Sequence, residues 1–456
     1  MHPSHALARQ MNPPPVQLGV ADAGRVGHQQ SVGESSQRVL DALVIGGGPA
    51  GAAAAFRLAQ AGHKVLLCER ERFPRFHIGE SLLPVNIPLL REMGVEPGMR
   101  AFGAVTKFGA RIEDASGRHG TRIAFGEADA PIARSTFQVE RAEFDRTLLA
   151  AAARAGAEVR EGCEVSGVER DADGWTVHAK NDGEVFSIRT RWLVDASGRD
   201  TFLASRRGEK EMLHAHRRVS LFAHYEGVAR DAGEPGGDTI LVRMADGWFW
   251  LIPIDQRRTS VGVVLEADAL RSAGKSAEEA LDAALERAPA MQRRMARARR
   301  VSQTFATSDF SYRVRRRSLP RAVSIGDAAG FLDPIFSTGV WLAMNGGDRA
   351  GRLVDRCLRR PALAAPYRAR HDLGAALLYR HFERLIDYFY QPGFTDIFLQ
   401  PVDRFDLRRA VGTYVSGALP HRFLPRLRLE IVLLLSRWQE RLRFVPRIEL
   451  PNTLAD

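Results

Sequence analysis

Three glycines spaced as GxGxxG, Gly46, Gly48 and Gly51, stand between an apolar run (Ala42 to Ile45) and an Ala-rich stretch. An acid, Glu69, closes the next apolar run, Lys64 to Cys68. Residues of these types at this spacing make a phosphate cradle. Gly46 permits a tight turn, Gly48 lets a pyrophosphate approach the backbone, and Gly51 lets a helix lie close on the strand. The helix N-terminus, with Ala50 in its first turn, then faces the phosphates, and Glu69 can accept a ribose hydroxyl. Glycine clusters alone are more often simple turns. Strand before, helix after and an acid ending the second strand are what make this one a dinucleotide site.

A second motif, AVSIGDAAGFLDPIFSTGVWLAM, runs from Ala322 to Met344. A strand ends at Gly326 and Asp327, and Pro334, Ser337, Thr338 and Gly339 precede a helix, so the amides of Thr338 and Gly339 lie where a helix N-terminus can hold an anion. Between the two motifs, WLVDASGRDTFLA (Trp192 to Ala204) reads as a buried strand ending at Asp195 and a small-residue turn. Phe137 to Val159 reads as a short strand and a helix with Phe144, Leu148 and Ala152 on one face and Arg141 and Asp145 near its start.

The elements that position these residues follow from length and pattern. A chain of 456 residues can hold two or three domains around a sizeable core. The pattern predicts an α/β protein: a Rossmann-like cofactor domain over 41–201 and 320–360, a β-rich substrate domain over 202–319, and a helical region over 361–456. Residues 1–40, rich in Pro, Gln, Ser and Gly, read as a disordered extension, with no signal peptide and no transmembrane segment. The net charge of +11 favours acidic partners or an anionic surface. Nucleic acid is a weak reading, because the basic residues are dispersed and no recognition motif accompanies them. Cys68, Cys163 and Cys357 are odd in number and far apart, giving neither a disulfide framework nor a metal spacing, so a reducing cytoplasm is expected. The basic run Arg313 to Arg321 reads as a solvated face, with docking of an acidic carrier as the other option. The last helical stretch, LEIVLLLSRWQERLRF, either packs on the body of the protein or touches a membrane surface.

FPRFHIGESLLP, Phe73 to Pro84, has the Pro, Gly and Ser of a loop at the carboxyl end of the second strand, and taken alone its His77 and Glu80 are loop hydrogen-bonders. Together with the two motifs above and GWFWLIPI, this loop resembles the flavin-dependent halogenases, in the branch acting on phenols, pyrroles and carrier-bound aromatics. The resemblance covers nearly all of the chain after residue 40. It implies an FAD fold of the kind shared with p-hydroxybenzoate hydroxylase, with the loop as a strap over the flavin. Gly46, Gly48, Ala50, Gly51, Glu69, Arg70, Ser81, Arg141, Asp195, Gly326, Asp327 and Gly339 are the implied FAD contacts, with Asp327 on the ribityl chain. It implies Lys107, in FGAVTKFGARI, as the catalytic residue, and Thr338 with Gly339 as the halide site. An ammonium can hydrogen-bond and polarise a hypohalous acid, whereas a neutral amine would itself be halogenated. Glu113 and Asp114 stand where relatives often carry an aromatic residue. Trp248, Trp250, Ile252 and Pro253 match the WxWxIP signature. Paired indoles on one strand face more often make core, but in the family the motif is thought to keep substrate off the flavin. The tryptophan-acting branch has a glutamate where this chain has Phe336, which argues against free tryptophan as substrate.

The resemblance therefore implies that reduced FAD from a separate NAD(P)H flavin reductase, dioxygen and a halide ion generate hypohalous acid, which travels to Lys107 and halogenates an electron-rich ring, free or on an acyl or peptidyl carrier protein. Three rivals share the fold: a flavin monooxygenase, a reductase like the geranylgeranyl reductases, and a non-catalytic flavin-binding accessory subunit. An intact WxWxIP counts against the first.

Overall fold

A computed structural model describes residues 39–213, 217–308, 311–400, 407–418 and 423–454. Most of the expected N-terminal extension lies outside the described residues. Leu40, which the pattern placed in that extension, opens the first strand instead.

The central strand, Leu40–Ile45, pairs in parallel with Val65–Glu69 on one side and Glu184–Asp195 on the other. Ala322–Ser324 continues the sheet past Glu184–Asp195, and Glu158–Glu161 continues it past Val65–Glu69. Both faces of this sheet are covered at its centre, which is why Leu40–Ile45 and Val65–Glu69 are nearly continuous apolar runs. Ala42 and Val44 face the helices Pro49–Gln60, Arg141–Arg154 and Gly339–Arg359, while Leu43 and Ile45 face the side carrying Trp175, Val177 and Leu203. The register sets Ile45 beside both Cys68 and Asp195, and Asp195 beside Ser324. The glycine loop, Glu69, Asp195 and the Gly326–Asp327 turn therefore leave the sheet together at its carboxyl edge, where open α/β sheets bind ligands.

The second sheet corrects the expected boundaries. Its centre is Arg218–Glu226, Arg258–Glu266, Trp248–Pro253 and Thr239–Arg243, as expected, but its next strands are Gly109–Asp114 and Gly120–Ala124, from the segment assigned to the cofactor domain. Gly109–Asp114 pairs in parallel with Thr239–Arg243, Ala110 opposite Thr239 and Asp114 opposite Arg243. Local alternation shows that such a strand exists and says nothing of a partner far along the chain. The charged stretch from Ser276 to Arg299 forms two helices, Ala277–Glu286 and Pro289–Met295, the first opened by a Ser276–Glu279 capping box. These cover one face of the sheet, against Val242, Phe249 and Leu251. On the other face Leu241, Trp248, Trp250 and Ile252 meet the tail helices Ala364–Phe389, Leu407–Val415 and Phe423–Leu442. Gly262 makes room on that face, because a Cβ there would sit 2.3 Å from the Trp250 ring. Among the described residues no helix is long and apolar enough to cross a membrane.

Candidate active site

At the carboxyl edge the glycine loop is built as its spacing demands. Gly46 adopts φ +99°, and a Cβ on Gly51 would lie 1.9 Å from the Gly46 carbonyl oxygen, so the helix Pro49–Gln60 rests directly on the turn. Gly48 is different: a Cβ there would meet only the Arg75 guanidinium, at 3.5 Å, so its outer side is open to a ligand. Ala50 packs against Gly326, joining this loop to the second motif. The buried Glu69 carboxylate accepts from the amides of Gly47 at 2.6 Å and Glu71 at 2.9 Å, and keeps lone pairs for a further donor. Asp327 has no hydrogen-bond donor among the described residues, and burial pushes its carboxyl up to about 6 against the opposing fields of Arg141 and Arg199. A half-buried carboxylate in that state wants a hydroxyl, so this edge fits a flavin dinucleotide lying from Glu69, past Gly48, to Asp327.

Four of the expected cofactor contacts already have protein partners. Asp195 is fully buried and accepts from the Ser197 amide and hydroxyl, the Leu203 amide and the Ser324 hydroxyl, which fills the four lone-pair positions of a carboxylate. These bonds shape the turn. Arg141 grips Asp145 with two bonds of 2.8 and 2.9 Å and donates to the Ile78 carbonyl at 2.6 Å, fastening the strap. Arg70 is exposed and ion-paired to Asp200. Ser81 belongs to the lysine described next. Within the strap, burial and the Arg141 charge push His77 down to about 4, and Glu80 is 2.7 Å from the Nε2 of His224.

Lys107 ends the short strand Val105–Lys107, which pairs with Thr136–Gln138. It is only 2% exposed. Its Nζ donates to the Ser81 hydroxyl at 2.8 Å and to the Leu82 carbonyl at 3.3 Å, and lies 5.3 Å from the centre of the Phe125 ring. Ser81 lies 3.0 Å from the Thr239 hydroxyl, which accepts from the Gln138 amide at 2.9 Å. Burial pushes the ammonium down to about 7, with Asp238 opposing. Ser81, Thr239 and Gln138 form a network that spacing did not reveal as such, because each comes from a different part of the chain.

A small cavity of about 10 Å³ beside Lys107 is walled by Phe125, Leu241, Ile335, Phe336, Ser337 and Val415. The lysine thus shares one space with Phe336 and Ser337, which immediately precede the expected halide site. Ser337 has φ +55°, and Thr338 is the N-cap of the 21-residue helix Gly339–Arg359, with its own side chain unused for capping. Among the described residues no protein acceptor takes the amides of Gly339 and Val340, so they are free for an anion.

The signature tryptophans stand behind this space, their rings 5.8 Å apart. The Trp250 indole donates to Ser260 at 3.1 Å. That of Trp248 donates at 2.7 Å to the Tyr390 hydroxyl, which donates at 2.9 Å to Asp333, and Asp333 in turn caps the turn at Ile335. The chain ties the signature to the expected halide turn through Tyr390, the C-cap of the tail helix Ala364–Phe389. Tyr390→Phe leaves the indole N–H of the buried Trp248 without its acceptor, at a cost of about 1–3 kcal/mol. A drop of a few degrees in Tm is expected by thermal unfolding; an unchanged Tm would show that the chain does not brace the turn.

Residues 39–362 match the family model of the FAD binding domain. The 1H-pyrrole-2-carbonyl-(peptidyl-carrier protein) brominase of Pseudoalteromonas luteoviolacea is 33% identical over 342 residues, covering 74% of this chain and 82% of that protein. The chain belongs to the flavin-dependent halogenases. Flavin-dependent halogenase armH3 of Armillaria mellea is 34% identical to the halogenase over 343 residues, 70% of this chain and 68% of that one. The solved structure of flavin-dependent brominase Bmp2 matches with a TM-score of 0.77 at 29% identity, over 88% of this chain and 100% of that one. Halogenase PltM in complex with phloroglucinol and FAD matches with a TM-score of 0.70 over 91% of this chain and 88% of that one, at 18% identity, a likeness of fold alone. The halogenase is an FAD-dependent enzyme of α/β architecture.

Proposed function

We propose that the halogenase converts halide to hypohalous acid and passes it to Lys107 for electrophilic halogenation of an electron-rich aromatic ring, of the pyrrole or phenol class, carried on an acyl or peptidyl carrier protein. Bound reduced FAD, supplied by a separate NAD(P)H flavin reductase, furnishes with dioxygen the two-electron oxidation of halide. Everything else falls to the chain. The amides of Thr338 and Gly339 hold the halide at the positive end of a long helix. Lys107 receives the oxidant in the cavity it shares with Phe336 and Ser337, and that shared cavity is the observation carrying the proposal. Two of the lysine's donors are engaged by Ser81 and Leu82, which leaves one N–H of Nζ without a protein acceptor among the described residues, in a side chain that lines the cavity. As an ammonium it presents an N–H that polarises the hypohalous acid; as an amine it presents a lone pair that would take the halogen. The cavity has room for about one water-sized species, so a ring is admitted only when the wall of Phe336 and Val415 opens. Water is scarce there, which protects the oxidant. Carrier delivery is supported by the relatives that act on pyrrole-2-carbonyl carriers. Three buried, unpaired cysteines fit a reducing cytoplasm.

The test is mass spectrometry of products from pyrrole-2-carbonyl carriers and free phenols, with flavin reductase, NADPH and either chloride or bromide. A mass gain that follows the halide supports the proposal. Oxygenated product independent of halide replaces it with oxygen insertion.

The Lys107 value near 7 sets opposite pH trends. Above about pH 7 the ammonium fraction, and with it halogenation, falls toward tenfold per unit. Stability moves the other way. The folded lysine is lowered from its usual value of about 10, so between about 7 and 10 the unfolded chain binds more protons and this residue's contribution to stability rises with pH. Parallel pH profiles of product formation and of denaturant unfolding check both signs; a halogenation rate flat from pH 6 to 9 would sink the ammonium requirement.

A further inference from the structure

The tail helix Phe423–Leu442 has two apolar faces. Leu429, Val432 and Leu433 are buried in the cluster that contains Trp248, Trp250 and Phe336. On the opposite side Leu427, Ile431, Leu434, Trp438 and Leu442 recur at helical spacing and are exposed, Trp438 to 50% and Leu442 to 69%, with Phe444 continuing the stripe beyond the helix. A contiguous apolar stripe of this kind on a protein surface marks a contact site. Arg437, Arg441 and Arg443 are exposed along the same segment, and among the described residues none of them has a carboxylate at ion-pair distance. The basic run at 313–321, which the sequence offered for docking, is less available. Arg313 and Arg315 are paired with Glu211, and Arg316 with Glu209.

We propose that the outer face of Phe423–Leu442 docks the acidic carrier protein that delivers the aromatic ring, an inference resting on the carrier-bound reading above. Arginines without a carboxylate partner, Arg437 lying over the Tyr388 ring at 5.2 Å, beside large apolar side chains complement a partner whose surface combines carboxylates with a few apolar contacts. The surface is continuous with the site: Leu407–Val415 packs against this helix and supplies Val415 to the wall of the Lys107 cavity. An anionic bilayer shares the partner's charge, but Glu430, joined to Arg384 at the rim of the stripe, would face its headgroups.

Two surface variants test this, Leu434→Glu/Trp438→Glu and Arg437→Glu/Arg441→Glu, each checked for an unchanged Tm. The probes are the peptidyl carrier protein of the pyrrole brominase relative loaded with pyrrole-2-carbonyl, and the same acyl group as its N-acetylcysteamine thioester. The expected result is at least a tenfold loss of kcat/KM for the loaded carrier, with the thioester unaffected. Equal loss on both probes, no loss on either, or a wild-type enzyme that halogenates only the thioester overturns the docking surface. So does sedimentation of wild-type protein, but not of the variants, with phosphatidylglycerol vesicles, which assigns the stripe to lipid. A wild-type enzyme that halogenates neither probe removes the carrier-bound reading itself, and is told apart because the thioester too stays unchanged.

Discussion

Lys107→Ala is expected to lower halogenation by about a thousandfold, the usual worth of a positioned proton donor, while oxidation of reduced flavin continues at the wild-type rate. The two readouts are product mass and oxygen uptake in the same vessel. They separate because Lys107 touches neither the glycine loop nor Asp327: its partners are Ser81, Leu82 and Phe125. Alanine also leaves a hole where a buried side chain stood, and such holes cost about 2–5 kcal/mol. Lys107→Met keeps most of the volume and removes only the charge and donors, so it should retain a folded protein with the same loss of product. Uncoupled oxidant should then appear in bulk solvent, detectable with a small-molecule chlorination trap. Full halogenation by either variant would take Lys107 out of the chemistry, and loss of oxygen uptake would show that it serves the flavin instead.

What could be read from sequence was what is local. The glycine loop, Glu69 and the Gly326–Asp327 turn were legible because their meaning lies in spacing along one βαβ unit and one strand end, and parallel pairing then brings those ends together. Arg141, Asp195 and Ser81 show the limit. A residue type at a motif position states what a side chain can donate or accept, not which neighbour has already taken it; here Asp145, the Ser197–Leu203 turn and Lys107 have. The strand Gly109–Asp114 was assigned to the wrong layer for the same reason, its partner being set by a register no local pattern encodes. Tyr390, which links Trp248 to Asp333, carried no signal at all, since a tyrosine ending an amphipathic helix looks like any other.

The glycine loop yields the other large effect, and two of its positions should fail in different ways. In Gly51→Ala the new methyl falls 1.9 Å from the Gly46 carbonyl oxygen, a backbone atom that cannot swing aside, so the helix Pro49–Gln60 must lift off the turn. Overpacking of this kind costs about 1–3 kcal/mol. The lifted helix also carries its N-terminal amides away from the phosphates, so a Tm lowered by several degrees and FAD affinity lowered at least a hundredfold are expected together. In Gly48→Ala the methyl meets only the end of Arg75, at an ordinary 3.5 Å, so the protein without cofactor should unfold at the wild-type temperature. Its methyl nonetheless stands on the open side where the pyrophosphate must approach, and FAD affinity should drop about ten- to a hundredfold, equivalent to roughly 1.4–2.8 kcal/mol. Fluorescence titration with FAD and thermal unfolding of the cofactor-free proteins read both quantities. Unchanged affinity in Gly48→Ala would mean that the dinucleotide does not cross the loop at that point, and the path from Glu69 to Asp327 would have to be redrawn.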